Sequence, residues 1–133
     1  MKDRTRHTIN DYYQLSQYHM KLAYIMRKHH KFKTSLFLCH SALIAMIRAM
    51  YIYENKSRPD SEISLIELLL LLHTDYNPGL EIMVFVGKLN YIVHETESLE
   101  ALKEKEMDRL MEKTEEILTE LCSRMANGTS TER

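Results

Sequence analysis

Gly87-Lys88-Leu89-Asn90-Tyr91-Ile92-Val93-His94-Glu95-Thr96 ends the fourth apolar segment of a 133-residue chain and sets Asn90 and His94 four residues apart. On a helix that spacing puts both side chains on one face. Gly87 falls on the same face, three residues before Asn90, where a missing side chain lets a backbone or ligand approach closely. A polar pair beside a glycine, within an otherwise apolar helix, marks a candidate site.

Outward from this stretch the chain also reads as helix. Three Gly, two Pro and no Trp leave little material for the turns of an all-β fold, while nine Met and many Leu, Ala, Glu and Lys favour helix. A first helix is expected from about Thr8 to His30, with Ile9, Tyr12, Tyr13, Ser16, Met20, Ala23 and Arg27 along one stripe of helical period. A second runs from Thr34 to Tyr53, with Thr34 or Ser35 as its N-cap. Ser61 caps a short third helix, Glu62 to His73. Asn77 followed by Pro78 starts the fourth, which runs to about Glu95. Ser98 caps a fifth to about Met125, with Met107, Leu110, Thr114, Ile117 and Leu121 as its apolar stripe. The domain is expected to span residues 1–125, with 126–133 a disordered tail.

On the fourth helix only Glu81, Lys88 and Glu95 form a clear solvent stripe. It is therefore either the central helix of the bundle or part of a subunit interface. On the third, Leu68 and Leu71 lie close to the face of Ser64 and Glu67, where an apolar residue calls for a partner. Both features point to a homodimer.

The formal net charge of −1 hides a division. Residues 1–58 carry eleven Lys and Arg against Asp3, Asp11 and Glu54, a balance of +8; the remainder carries seven against sixteen, a balance of −9. Such asymmetry fits a nucleic-acid face, or equally two halves that pack together and neutralise each other. The run Arg27, Lys28, Lys31, Phe32 and Lys33 has the same two readings: a phosphate contact with Phe32 stacking on a base, or a solvated corner.

Several chemistries are excluded. No Glu-x-x-His occurs, His29 and His30 are adjacent so their rings diverge, and Cys39 and Cys122 form no ligand spacing, so no metal is expected. Phosphate loops, a nucleophile elbow and Cys-x-x-Cys are absent, and no cofactor is implied. The thiols read as reduced in a cytoplasmic protein. The apolar run from Ile63 to Leu72 holds Glu67 and is too short for a bilayer, so no membrane association is expected.

The opening stretch resembles the signature of the HEPN family, small all-helical proteins whose motif is Arg, four to six residues, then His. In the branch that acts as the toxin half of HEPN–nucleotidyltransferase pairs it reads roughly Gly-Phe-Arg-Asn-Ile-Leu-Val-His-x-Tyr. Gly87, Asn90, Ile92, Val93 and His94 stand on matching positions. Leu89 stands where the family has Arg, and Thr96 where that branch has Tyr. Ala42 to Met50 is similar to the family's helix with Ala, then Glu, then Lys-Ala, with Ile44 in the Glu place and Arg48 in the Lys place.

The resemblance implies an all-α, up-and-down bundle of four or five helices and metal-independent RNA cleavage at a site shared across a two-fold. His moves the proton and Arg clamps the phosphate. Leu89 can do neither, and losing one transition-state donor costs on the order of 10²–10³ in rate. Lys88 is adjacent but leaves the helix about 100° away. The expected site is therefore degraded: His94, Asn90 and Lys88 at the catalytic position, Arg27, Lys28, Lys31, Phe32, Lys33 and Arg48 as ligand contacts. Its ligand is a nucleotide, RNA or a protein partner, with a nucleotidyltransferase among the partners the resemblance implies. A structural dimerisation bundle without ligand is the alternative, and weak cleavage by His94 with Lys88 a further one.

Overall fold

The structure, a computed structural model, describes residues 3–55, 79–95 and 104–131. They form four helices: α1 (Asp3–Lys28), α2 (Phe32–Asn55), α3 (Gly79–Glu95) and α4 (Glu104–Thr131). The described chain is all-α, as the composition and periodicity predict. The expected third segment, with Leu68 and Leu71, lies outside the described residues, as do the caps Asn77-Pro78 and Ser98 and the residue Thr96.

α1 and α2 form an antiparallel hairpin whose register two serines set. The Ser16 hydroxyl donates to the Ala42 carbonyl at 2.8 Å, and the Ser35 hydroxyl to the Ala23 carbonyl at 2.7 Å. Both bonds are buried and pair small residues, so the two backbones lie close. Ser35 is therefore not the cap the sequence suggests: α2 begins at Phe32, and the hydroxyl is used across the hairpin. The turn between them is a Schellman motif, with Lys31 N–H bonded to the Met26 carbonyl and His30 N–H to that of Arg27. His30 occupies its left-handed position at φ 60°, a place glycine usually takes.

α2 packs against each of the other three helices. Of the two places open to the segment that is α3 here, the centre of the bundle or a subunit interface, the first is taken by α2 among the described residues. Leu36, Leu43, Met46, Ile47 and Met50 are fully buried, each contributing about 1.5–3 kcal/mol of transfer free energy. By length and composition Phe32–Tyr53 could cross a bilayer, but most of it is buried inside the bundle, as befits a core helix.

α4 closes the bundle with the stripe its sequence predicts: Met107, Leu110, Thr114, Ile117 and Leu121 are all buried. It continues to Thr131, beyond the end expected at Met125. Lys113 of α4 reaches Glu81 at the start of α3 at 2.9 Å, while the later α3 residues Phe85 and Ile92 share a cleft with the earlier α4 residues Glu106 and Arg109. α3 and α4 therefore run antiparallel.

Candidate functional site

α3 presents three distinct faces. Ile82, Phe85, Val86, Leu89 and Val93 point into the core. Lys88 lines a cleft of about 340 Å³ against α4, with Phe85, Ile92, Glu106, Arg109, Leu110 and Lys113. Val84, Tyr91 and His94 are exposed.

Leu89, the residue in the Arg place, is 0% exposed within the core cluster. The position faces inward, where a guanidinium would meet Leu, Met and Ile side chains rather than solvent. Leu89 therefore contributes packing at the place where the resemblance calls for a phosphate clamp.

His94 sits in the last turn of α3. Its Nδ1 lies 3.0 Å from the Asn90 carbonyl. A carbonyl only accepts, so Nδ1 carries the proton and the lone pair of the neutral ring is on Nε2. Asn90, half-buried, thus enters the site through its backbone. Gly87 is exposed, and a Cβ built there would meet nothing within 4 Å among the described residues, so none of them approaches the glycine closely.

Two residues of α2 lie against His94. The Phe37 ring is 6.4 Å away, and the His40 ring 6.2 Å away at 77°. The His40 Nε2 is buried, with no hydrogen-bond partner among the described residues. Burial, with the neighbouring His94 adding to it, pushes the His40 imidazole below its ordinary range and keeps it neutral. Sequence reasoning missed His40. Its only signal was a histidine within an otherwise apolar helix, 54 residues before His94.

The expected site residues do not converge. Lys88 serves the α3–α4 cleft, while His94 faces α2. Arg109, which sequence reasoning also missed, joins Lys88 in that cleft. At the α1–α2 corner, Arg27 donates from Nε and Nη2 to the two Asp108 oxygens at 2.8 and 3.2 Å, and lies 3.9 Å from Glu104. Its guanidinium also stands 5.4 Å from the centre of the Phe32 ring, itself packed on the core. The hydrogen bond to Asp108 raises the pKa of Arg27, and the same bond lowers that of Asp108. His30 approaches Glu104 at 3.6 Å. These contacts tie the basic half to the acidic half. Lys28, Lys31 and Lys33 remain exposed, and Arg48 is half-buried further along α2.

Cys39 is buried, which pushes its thiol up to about 12, and Cys122 is half-buried; neither is in a disulfide. Among the described residues no group of three His, Cys, Asp or Glu is placed to hold a metal ion.

No curated protein and no solved structure matches the chain. The family model of the HEPN domain matches residues 9–125. That span takes in the α1–α2 hairpin, the α3 stretch that carries the signature, and α4 to its expected end. The chain belongs to the HEPN domain family.

Proposed function

We propose that this HEPN domain is a binding module whose ribonuclease site has lapsed, and that it takes the phosphate of a nucleotide or of single-stranded RNA without cutting it. The burial of Leu89 carries the reading: the motif position that should hold a transition-state cation holds a core side chain instead. The α3–α4 cleft supports the ligand class. Lys88 and Arg109 line it together with the apolar Phe85, Ile92 and Leu110, with Lys113 held by Glu81 and, among the described residues lining it, only Glu106 adding a negative charge, a match for an anion joined to a planar base. The exposed Lys28, Lys31 and Lys33 extend the positive surface at the other corner, although Arg27 and Phe32 there are held in internal contacts.

A test pairs two measurements on the full chain. Incubation with single-stranded RNA is expected to leave it intact. Titration with the same RNA and with a mononucleotide is expected to show binding that weakens with salt, and that Lys88→Ala with Arg109→Ala reduces. Efficient cleavage that disappears in His94→Ala would overturn the proposal.

One observation favours a second reading, assembly through this face. Val84 is 64% exposed and Tyr91 63%, on the side of α3 that carries His94, beside the exposed Phe37 of α2. A homodimer, or a complex with a nucleotidyltransferase of the kind the resemblance implies, covers such a face in the cytoplasm. Light scattering on wild type and Tyr91→Glu checks it. A monomer mass at high micromolar concentration removes the homodimer.

A further inference from the structure

We propose that His40 and His94 form a two-histidine site for a borderline divalent transition-metal ion of the zinc, nickel or copper class, pinning α2 to the C-terminal end of α3. The proposal is independent of the RNA-binding reading and uses neither Lys88 nor Arg109.

Geometry comes first. Two imidazoles that share one zinc-sized ion, at about 2.0–2.1 Å per bond, place their ring centres roughly 5–6.5 Å apart. The observed separation is 6.2 Å. It lies toward the upper end of that range, and rotation of the exposed His94 side chain can bring its Nε2 toward His40.

The nitrogens are prepared for the task. A histidine that ligates a metal through one nitrogen commonly donates the other N–H to a backbone carbonyl, which fixes tautomer and orientation. His94 does this through Nδ1 and the Asn90 carbonyl, presenting Nε2. Among the described residues the His40 Nε2 is a buried polar atom with no hydrogen-bond partner, a state that costs free energy until something satisfies it.

The ligand type selects the ion. Imidazole nitrogen suits zinc, nickel and copper, whereas magnesium and calcium require oxygen donors. No third His, Cys, Asp or Glu joins the pair among the described residues, so solvent completes the coordination from the exposed side of His94. Such an open site binds less tightly than a four-ligand structural centre and follows the order in which copper exceeds nickel and zinc.

The test titrates untagged, chelator-stripped full-length protein with Zn²⁺, Ni²⁺ and Cu²⁺ by calorimetry, with thermal unfolding followed in parallel. One ion per chain and a raised Tm with Ni²⁺ or Zn²⁺ are expected. His94→Gln, at an exposed position, lowers the affinity at least tenfold and abolishes the rise in Tm. His29→Gln with His30→Gln leaves both unchanged and serves as the control for surface histidines. Because His40→Gln alters a packed residue, the second arm uses wild type: substoichiometric Cu²⁺ should broaden the imidazole resonances of His40 and His94 before those of the other five histidines. Absence of saturable binding, loss of binding in the His29/His30 variant instead, or first broadening at other histidines would each overturn the site.

Discussion

Leu89 and His94 stand five residues apart on α3 and face opposite ways, Leu89 wholly within the core and His94 out at the surface beside α2. The two halves of the family motif therefore do unrelated work in this chain. His94 still lies at a surface where chemistry or binding is accessible. The other position has become part of what holds α3 to the bundle.

Restoring the motif should accordingly damage the fold. Leu89→Arg places an unpaired charge among Ile82, Val86 and their neighbours, which costs about 3–5 kcal/mol. Leu89→Ala, which leaves only a cavity, costs about 2–5 kcal/mol. Urea unfolding compares the two with wild type. Wild-type stability in Leu89→Arg would mean that the side chain finds solvent, and would reopen the question of activity.

Arg27 and Asp108 predict a specific pH dependence. The paired Asp108 has its carboxyl held below its ordinary value of 3.8, so the native state binds its proton less readily than the unfolded chain. The stabilisation is complete above that ordinary value and is lost as pH falls through the lower native value. Arg27 stays charged throughout. Asp108 is well exposed, so a double-mutant cycle of Arg27→Ala and Asp108→Ala at neutral pH should give no more than about 1 kcal/mol of coupling. The coupling should shrink with added salt and be lost as the pH falls through the native value, below the ordinary carboxylate range. Unchanged coupling in strong acid would contradict the assignment.

Ser35 should be sensitive to size more than to polarity. Ser35→Ala removes one buried hydrogen bond and costs about 1 kcal/mol. Ser35→Leu inserts bulk into the fully buried contact between α1 and α2 and costs about 1–3 kcal/mol or more through overpacking. Thermal unfolding of the pair gives the order. If Leu were tolerated better than Ala, the hairpin would not be as tight as the two serine bonds require.

His30 offers the opposite sign. A left-handed conformation costs a non-glycine residue roughly 1–2 kcal/mol, so His30→Gly should raise stability by up to about 1 kcal/mol, offset by the lost contacts to Phe32 and Glu104. Denaturant midpoints read it directly. A fall of more than 1 kcal/mol would show that the ring contacts outweigh the strain.

The sequence alone determined the helical class, the family, the apolar stripe of α4, and Ser16, Met20 and Ala23 on the buried side of α1. These follow from periodicity and from a short motif, both of which are local and need no knowledge of what a helix packs against. The solvent positions Glu81 and Lys88 were legible for the same reason.

Tertiary structure decided the rest, because how each helix is rotated and which helices meet depends on all of their faces at once. It made α2 the central helix, spent the Ser35 hydroxyl on Ala23 rather than on a cap, and turned Leu89 inward. It joined Arg27 to Asp108 across 81 residues, a contact of the kind expected if the two halves of the charge division pack together and neutralise each other. It also brought His40 to His94 across 54 residues of chain. No spacing rule links two such positions; only the packing of one helix against another puts their rings side by side.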